Sequence, residues 1–272
     1  MILFFCLLMK IASWNVNGLR AACQKGFLEW LQAENPDILC LQEVKSFENQ
    51  IPGEIRFLFP FYQYVWHTGT RPWYAGTAIF YHTDLKVLKS LNTFDEPLFF
   101  EDGRTTAIEF EYEGKIIHLV NCYFPNGGTR ADWTEMLSYK LDFYKKMEQY
   151  LETEKKLGKI VLITGDFNIC HTEIDIARPK ENQNSIGFLP IERVELDQLQ
   201  NLGYTDLFRR FHPWEKDHYT WWSYRAGAKP NNVGWRLDYF WIDKNYEDLA
   251  EKVVHQPEMN ASDHCPILLF LK

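Results

Sequence analysis

The sequence predicts an α/β fold with two sheets inside and helices outside. Three observations point to it. Residues 37–43 and 159–165 are short, mostly apolar runs that suit strands covered on both faces. Residues 105–112 and 115–123 flank Gly114 and read as a hairpin. Residues 137–156 carry helical spacing and strong helix formers, and Gly158 closes them. The chain has 272 residues and no Ser-, Pro- or Gly-rich linker, so residues 9–272 are expected to form one domain.

The elements follow in order. Residues 1–8 are an apolar run too short to span a membrane. The run lacks a basic flank and a small-residue cleavage site, and it flows straight into a strand. Met9 looks like the natural start, so residues 1–8 read as an upstream extension. Residues 10–18 alternate apolar and polar, which puts Asn15 and Asn17 on one face of a strand. Residues 27–33 read as an amphipathic helix that Asn35-Pro36 ends. The strand at 37–43 delivers Glu43 at its C-terminal end. Residues 76–81 are the clearest strand of an aromatic-rich region, and the hairpin opens at Tyr123 and Asn126 into a Gly-rich loop. Residues 171–189 look like a polar loop, and 190–202 like a helix that ends at Gly203. Residues 219–224 and 235–242 read as aromatic strands around a loop. Asp263 and His264 lead into a terminal strand at 267–271.

Hydrophobic residues make up 46% and charged residues 24%, which excludes a disordered chain. A net charge of −8 speaks against a protein that coats nucleic acid, because any phosphate-binding surface must be a local patch. It leaves room for a nuclease, whose metal-binding carboxylates add charge that a cation offsets. The 10 Trp exceed what a core usually needs, and exposed aromatics can act as stacking or wedge surfaces. None of the 6 Cys forms a Cys-x-x-Cys pair, which implies reduced thiols in an intracellular, cytoplasmic protein. No membrane association is expected.

Chemistry first shows at 159–168. Gly165 lets the backbone turn or approach a ligand closely. Asp166 and Asn168 follow two residues apart, on one face if the chain stays extended. A carboxylate beside an amide at the end of a buried strand suits water, metal or phosphate. The same four residues also make an ordinary turn. Asn15 with Asn17, Glu43, Tyr123 with Asn126, and Asp263 with His264 are further polar sets at strand ends. For Glu43 the plain alternative is a solvated strand end. Asp238 sits among Leu237, Tyr239 and Phe240, where a charge is costly unless paired. A His is the obvious partner, since an Asp orients the ring and favours its protonation. A salt bridge to Arg236 or a solvent-facing position is the alternative.

These residues lie in motifs. Ser13-Trp-Asn-Val-Asn-Gly-Leu-Arg20, Leu41-Gln-Glu-Val-Lys45, Tyr123-Phe-Pro-Asn126, Gly165-Asp-Phe-Asn168, Asn232-Val-Gly-Trp-Arg-Leu-Asp-Tyr239 and Ser262-Asp-His-Cys-Pro266 occur in this order. In them the chain resembles the exonuclease III family of apurinic/apyrimidinic endonucleases, within the endonuclease/exonuclease/phosphatase superfamily. The resemblance covers essentially everything after residue 9. Gly-Asp-x-Asn and Ser-Asp-His are shared across the superfamily, whereas the block at 232–239 is specific to the DNA-repair branch.

The resemblance implies a four-layer α/β sandwich of the deoxyribonuclease I type, two mixed, mainly antiparallel sheets flanked by helices. It implies Mg²⁺-dependent hydrolysis, with Mn²⁺ as a substitute, on the 5′ side of abasic sites in double-stranded DNA, leaving a 3′-hydroxyl. Exonuclease (3′→5′) and 3′-phosphodiesterase activity on 3′-blocked lesions come with it. By the same resemblance Glu43 is the principal metal ligand, with Asn15, Asn17, Asp166, Asn168, Asp263 and His264 in or near the metal shell. Asp166 orients or deprotonates the attacking water, Tyr123 and Asn168 hydrogen-bond the phosphate, and His264, oriented by Asp238, contacts it. Such hydrolysis needs an in-line water and compensation of negative charge, which a hard cation and fixed donors supply. Oxygen-rich ligands favour Mg²⁺ over zinc. Some relatives have Asp where this chain has Asn17, which removes a negative charge near the metal.

The resemblance also makes Trp221, Trp235 and Leu237 the apolar walls of a pocket for a flipped sugar without a base. The plain alternative is core aromatics. Trp221 stands where relatives often have Phe, so a tighter pocket is expected. Arg225 matches a loop position that in relatives inserts into the duplex. Arg20, Lys45, Tyr74, Arg104, Asn126 and Asn182 are expected duplex contacts, with solvated surface as the alternative. A monomer is expected. One rival reading, a superfamily phosphatase or phospholipase, shares the metal and Asp–His machinery but lacks support from the block at 235–238. Another, a catalytically silent binding module, is at odds with the presence of every matched catalytic residue.

Overall fold

The computed structural model describes residues 8–58, 60–92, 94–129 and 135–272, without the side chains of residues 57 and 58. The upstream extension suggested for residues 1–8 lies outside the described residues except for Leu8.

Among the described residues the strands are β1 (Met9–Asn15), β2 (Ile38–Gln42), β3 (Tyr62–His67), β4 (Thr77–His82), β5 (Val87–Leu91), β6 (Thr105–Tyr112), β7 (Lys115–Tyr123), β8 (Ile160–Asp166), β9 (Tyr204–Asp206), β10 (Asp238–Asp243), β11 (Ala250–His255) and β12 (Ile267–Leu271). The helices are α1 (Leu19–Cys23), α2 (Phe27–Glu34), α3 (Gly53–Leu58), α4 (Pro97–Phe100), α5 (Leu137–Lys156), α6 (Pro179–Asn182), α7 (Pro190–Asn201) and α8 (Leu207–Phe211). One six-stranded sheet has the order β11-β12-β1-β2-β4-β3 and the other β5-β6-β7-β8-β10-β9. β1 pairs with β2, and β7 with β8, in parallel. The other pairings are antiparallel.

Side-chain alternation builds the layers. On β8, Ile160 and Leu162 join the core between the sheets, which also holds Ile11, Cys40, Leu119 and Phe240. Val161 and Ile163 point the other way, into a second core with Phe143 and Met147 of α5 and Leu196 of α7. A third core packs Ala12 and Trp14 of β1 against Phe27 and Trp30 of α2. The result is the expected helix–sheet–sheet–helix sandwich. It explains why residues 160–163 are apolar throughout, as both faces of that stretch are covered. Each such side chain taken out of water contributes roughly 1.5–3 kcal/mol.

Two sequence expectations fail here. Residues 219–224 form no strand. Only Trp221 makes isolated bridges, to Trp235 and His264. Thr220 uses its hydroxyl to accept from the backbone N–H of Leu237 and Asp238, and Trp222 N–H goes to Asp263 O, so no ladder continues. For the same reason β10 begins at Asp238 rather than at Trp235. The polar stretch 171–189 holds a short turn of helix at Glu173–Asp175 and α6.

Candidate active site

Register brings the polar ends together. Asp166, the last residue of β8, pairs with Tyr123 of β7 on one side and Asp238 of β10 on the other. In the facing sheet, β1 and β2 end level, with Asn15 opposite Gln42, and Glu43 follows. The two sheets are joined just below. Gln42 Nε2 donates to Asn121 Oδ1 at 2.7 Å, and Asn121 Nδ2 donates to Leu41 O and Ala78 O, each at 3.0 Å. His264 precedes β12 and is tied down by Trp14 Nε1, which donates to its carbonyl oxygen at 3.0 Å.

The chain leaves the extended state as it reaches the site. Gly165 has φ +133°, and a Cβ there would lie 1.9 Å from Cys122 O, so only glycine fits as β7 and β8 close up. Asn17, Glu43 and Asn168 have φ of 44°, 50° and 53°. Left-handed backbone at such residues costs about 1–2 kcal/mol each, and strain of this kind gathers at functional sites. The same-face argument for Asp166 and Asn168 therefore does not hold, because a turn replaces the alternation. The turn nevertheless brings them together. Asn168 donates its backbone N–H to Asp166 Oδ1 at 2.9 Å, and its Nδ2 lies 3.2 Å from Asp166 Oδ2.

The residues meet at a cavity of about 290 Å³. Its polar side is Glu43, Tyr123, Asn126, Asp166, Asn168, Asp263 and His264, and its apolar side is Ile186, Gly187, Trp221, Trp235 and Leu237. Asp238 holds His264 Nδ1 at 2.8 Å, while His264 Nε2 lies 3.7 Å from Asp166 Oδ2. Burial disfavours the imidazolium, but the charges of Asp238 and Asp166 lift the His264 pKa to about 10. Burial pushes the Asp166 carboxyl up to about 7, with His264 opposing and Asp238 and Glu43 reinforcing. Desolvation at the cavity wall and the charge of Glu43 push the Tyr123 hydroxyl well up, so it remains a donor. Burial works against the Asp263 carboxylate, but His264 and hydrogen bonds from Asn17 and Trp221 hold it below its ordinary range.

The sequence matches the Endonuclease/Exonuclease/phosphatase family over residues 12–264. The chain belongs to that family. It is 35% identical to an exodeoxyribonuclease of Bacillus subtilis (strain 168), over 97% of this chain and 99% of the relative. Its fold superposes on an AP endonuclease from Leishmania major with a TM-score of 0.83 and 26% identity, covering 98% of this chain and 88% of that one. A 3′ phosphatase from Neisseria, solved with a product DNA hairpin, gives 0.81 and 25%, covering 97% and 99%. Within the family the chain is of the exonuclease III-type AP endonuclease branch, which comprises hydrolytic DNA nucleases.

As a member of this family, the chain has acidic and histidine groups that could hold a metal ion. Asn15 Nδ2 donates both to Glu43 Oε1, at 2.9 Å, and to Asp166 Oδ2, at 2.8 Å, so the two carboxylates converge across one amide. The ligand atoms of Asp166, Asp238 and His264 lie within 4.8 Å of one another. Asp238 Oδ1 is buried without a hydrogen-bond partner. Asp238 and the protonated His264 are committed to each other, and the converging carboxylate oxygens of Glu43 and Asp166 are the ones that fit a hard cation.

Several expected residues have other partners. Asn15 presents its NH₂ to the carboxylates, while its Oδ1 accepts from Asn17 N, so as placed it orders ligands instead of supplying an oxygen. Asn17 is similarly engaged, donating to Asp263 Oδ1 at 2.9 Å and accepting from Lys45. Lys45, expected on the duplex, lies 2.7 Å from Glu43 Oε2. Arg104 is not a surface contact. It is 2% exposed, donates to Tyr74 Oη and Tyr123 O, and stacks 5.0 Å from the Tyr123 ring. It sits immediately before β6, where the Asp102 carboxylate, 3.3 Å from Arg104 Nε, and the tyrosines supply its partners. Asn182 caps its own turn, donating to Ala177 O and Arg178 O and accepting from Ser185. Arg236 pairs with Asp175 and Asp206, not with Asp238, which leaves Asp238 to His264.

Trp221 and Trp235 are half-buried, meet edge to face at 5.9 Å, and line the cavity with Leu237. Trp221 Nε1 donates to Asp263 Oδ2 at 3.1 Å. Arg20 and Arg225 are exposed. Arg20 stacks 4.0 Å from the ring of Trp73, an exposed aromatic that the sequence reading did not single out. Ile186 and Gly187 were also missed, because they sit in a stretch whose composition says only loop. Among the described residues no helix is long and apolar enough to cross a membrane.

Proposed function

We propose that this chain is a DNA-repair phosphodiesterase that cleaves on the 5′ side of abasic sites in duplex DNA and leaves a 3′-hydroxyl. Removal of 3′-blocking groups and 3′→5′ exonuclease action use the same site. The single observation that carries this reading is the cavity. One wall holds Glu43, Asp166 and an Asp238-held His264, and the other is an apolar slot of Trp221, Trp235 and Leu237. The slot suits a sugar stripped of its base and turned out of the helix.

Glu43 and Asp166 would hold the cation, Mg²⁺ by donor chemistry with Mn²⁺ able to replace it, and Asp263 stands behind them. When bound, the cation supplies charge that offsets the growing negative charge on the phosphate. Asp166 orients the attacking water and takes its proton. Tyr123 hydrogen-bonds the phosphate oxygens and His264 donates from Nε2, while the Asn168 amide, expected on the phosphate, donates instead to Phe124 O and Asp166 Oδ2 and so holds Asp166 in place. Fixed donors of this kind need no reorganisation as charge develops. Arg20, Arg225 and Asn126, which are exposed, contact the strand on either side. The chain works as a monomer with reduced thiols, inside the cell. Cys23, Cys40, Cys122, Cys170 and Cys265 carry no disulfide.

A substrate panel tests the reading: an abasic duplex, an inositol phosphate and sphingomyelin, each with Mg²⁺. Cleavage of the duplex alone is expected. Hydrolysis of either of the others in preference to it would make the chain a different kind of phosphoesterase.

A further inference from the structure

Behind the cavity, Lys140 of α5 is fully buried, with Nζ 2.6 Å from Glu192 Oε1 of α7. Lys140 Nζ also donates to two carbonyl oxygens, Asn126 O at 3.1 Å and Asn168 O at 2.8 Å. Glu192 Oε2 accepts from the backbone N–H of Gly187 at 2.6 Å and of Leu189 at 3.1 Å. One ion pair thus fastens three separate segments, and each forms part of the cavity wall: Asn126, Asn168 and Ile186 with Gly187.

The restraint passes forward through the side chains. Asn126 Nδ2 donates to Asn168 Oδ1 at 3.0 Å, and Asn168 Nδ2 reaches Asp166 Oδ2 at 3.2 Å. There is little slack. A Cβ at Gly127 would lie 2.8 Å from Lys140 Cδ, and one at Gly187 would lie 3.0 Å from the Trp235 ring and 3.2 Å from Asn168 O. Stability alone explains the pair poorly, since an apolar pair of similar size often serves as well. An apolar pair could not tie down these main-chain groups.

We propose that Lys140 and Glu192 are positioning residues for phosphodiester hydrolysis. They touch no substrate. They hold the Asn126–Asn168 amides and the Gly187 wall where the transition state needs them. This rests on the nuclease reading above.

The test is the double variant Lys140→Met with Glu192→Gln, which removes both charges and keeps an acceptor for Gly187 and Leu189. The full chain is assayed on an abasic duplex, its folding is checked by thermal melting, and the side-chain amide signals of Asn126 and Asn168 are followed by NMR. A folded variant should lose about 100-fold in kcat, the scale of a small misplacement at the reacting centre. KM should change less than about threefold, because ground-state binding is retained. The two amide signals should broaden or average. Lys140→Arg, which keeps the charge balance but moves the donors, should show the same split on a smaller scale, and it decides the matter if the double variant does not fold. Wild-type kcat in either folded variant, or a loss that merely follows the folded fraction, would overturn the proposal. A wild-type chain that cleaves no DNA would defeat the nuclease reading instead. In that case the amide signals still decide whether the pair positions the wall.

Discussion

Asp238 Oδ2 lies 2.8 Å from His264 Nδ1, so the ring is anchored by one nitrogen and offers the other to the cavity. With Asp166, this carboxylate lifts His264 to about 10 against the effect of burial. The protonated ring therefore dominates at neutral pH, and a step that uses it as a donor declines as pH rises through that value. Asp238→Asn removes the main favourable charge. The basic limb of kcat against pH should move down by about one unit or more, and kcat should fall about 10²–10³-fold. His264→Ala should abolish that limb. An Asp238→Asn enzyme with an unmoved limb would contradict the assignment.

Asp166→Asn should abolish turnover while leaving duplex binding, read by fluorescence anisotropy, nearly intact. Burial pushes this carboxyl up to about 7, so its carboxylate form grows as pH rises through neutrality. A nearby cation favours the carboxylate and pulls the value down. The acid limb of activity should therefore move to lower pH as Mg²⁺ is raised. A limb that ignores Mg²⁺ would place the cation elsewhere.

Glu43→Ala should raise the Mg²⁺ concentration for half-maximal activity by about tenfold or more, on the scale of one lost ligand interaction. It should also remove the rise in melting temperature that Mg²⁺ gives the wild type, since only ligand bound to the folded state stabilises it. Equal Mg²⁺ dependence in the two proteins would exclude Glu43 as a ligand.

Away from the cavity, Asp175 is fully buried between Arg236 Nε at 2.7 Å and Arg209 Nη2 at 2.6 Å. Burial opposes its charge, but the two guanidinium groups hold its carboxyl well below the usual range. Unfolded, the same group takes up a proton near pH 4, so its contribution is complete above about pH 4 and is lost as pH falls below it. Asp175→Asn should cost about 3–5 kcal/mol at pH 7, because Arg236 is left buried with one acid fewer. Urea unfolding should show that gap narrowing toward pH 3. A gap that stays constant would rule out a charge effect.

Much of this was legible in the sequence because strand ends obey local rules. The hairpin at Gly114, the helix at 137–156 and the terminal strand fall where periodicity and punctuation put them. Glu43, Tyr123, Asp166 and His264 are legible because each lies at or beside the end of a recognisable strand and sits in a sequence motif. What escaped depends on long-range contacts. Arg104 is typed like any surface cation, and only the tyrosines around it reveal that it is buried. Asn168 lies near Asp166 through the turn that the sequence offered as the alternative, not through an extended strand, because the left-handed backbone at Asn168 ends the strand geometry. The strand β9 has only three residues, and β5 and β11 carry partly exposed, polar-interrupted sequences with no buried run to mark them.

The most direct measurement is incision of an end-labelled duplex carrying one abasic site, with Mg²⁺, with chelator, and beside an undamaged duplex. One cut immediately 5′ of the lesion is expected, with a product that a polymerase can extend, no cut with chelator, and an intact control. Metal-independent cutting, or equal cutting of the undamaged duplex, would contradict it.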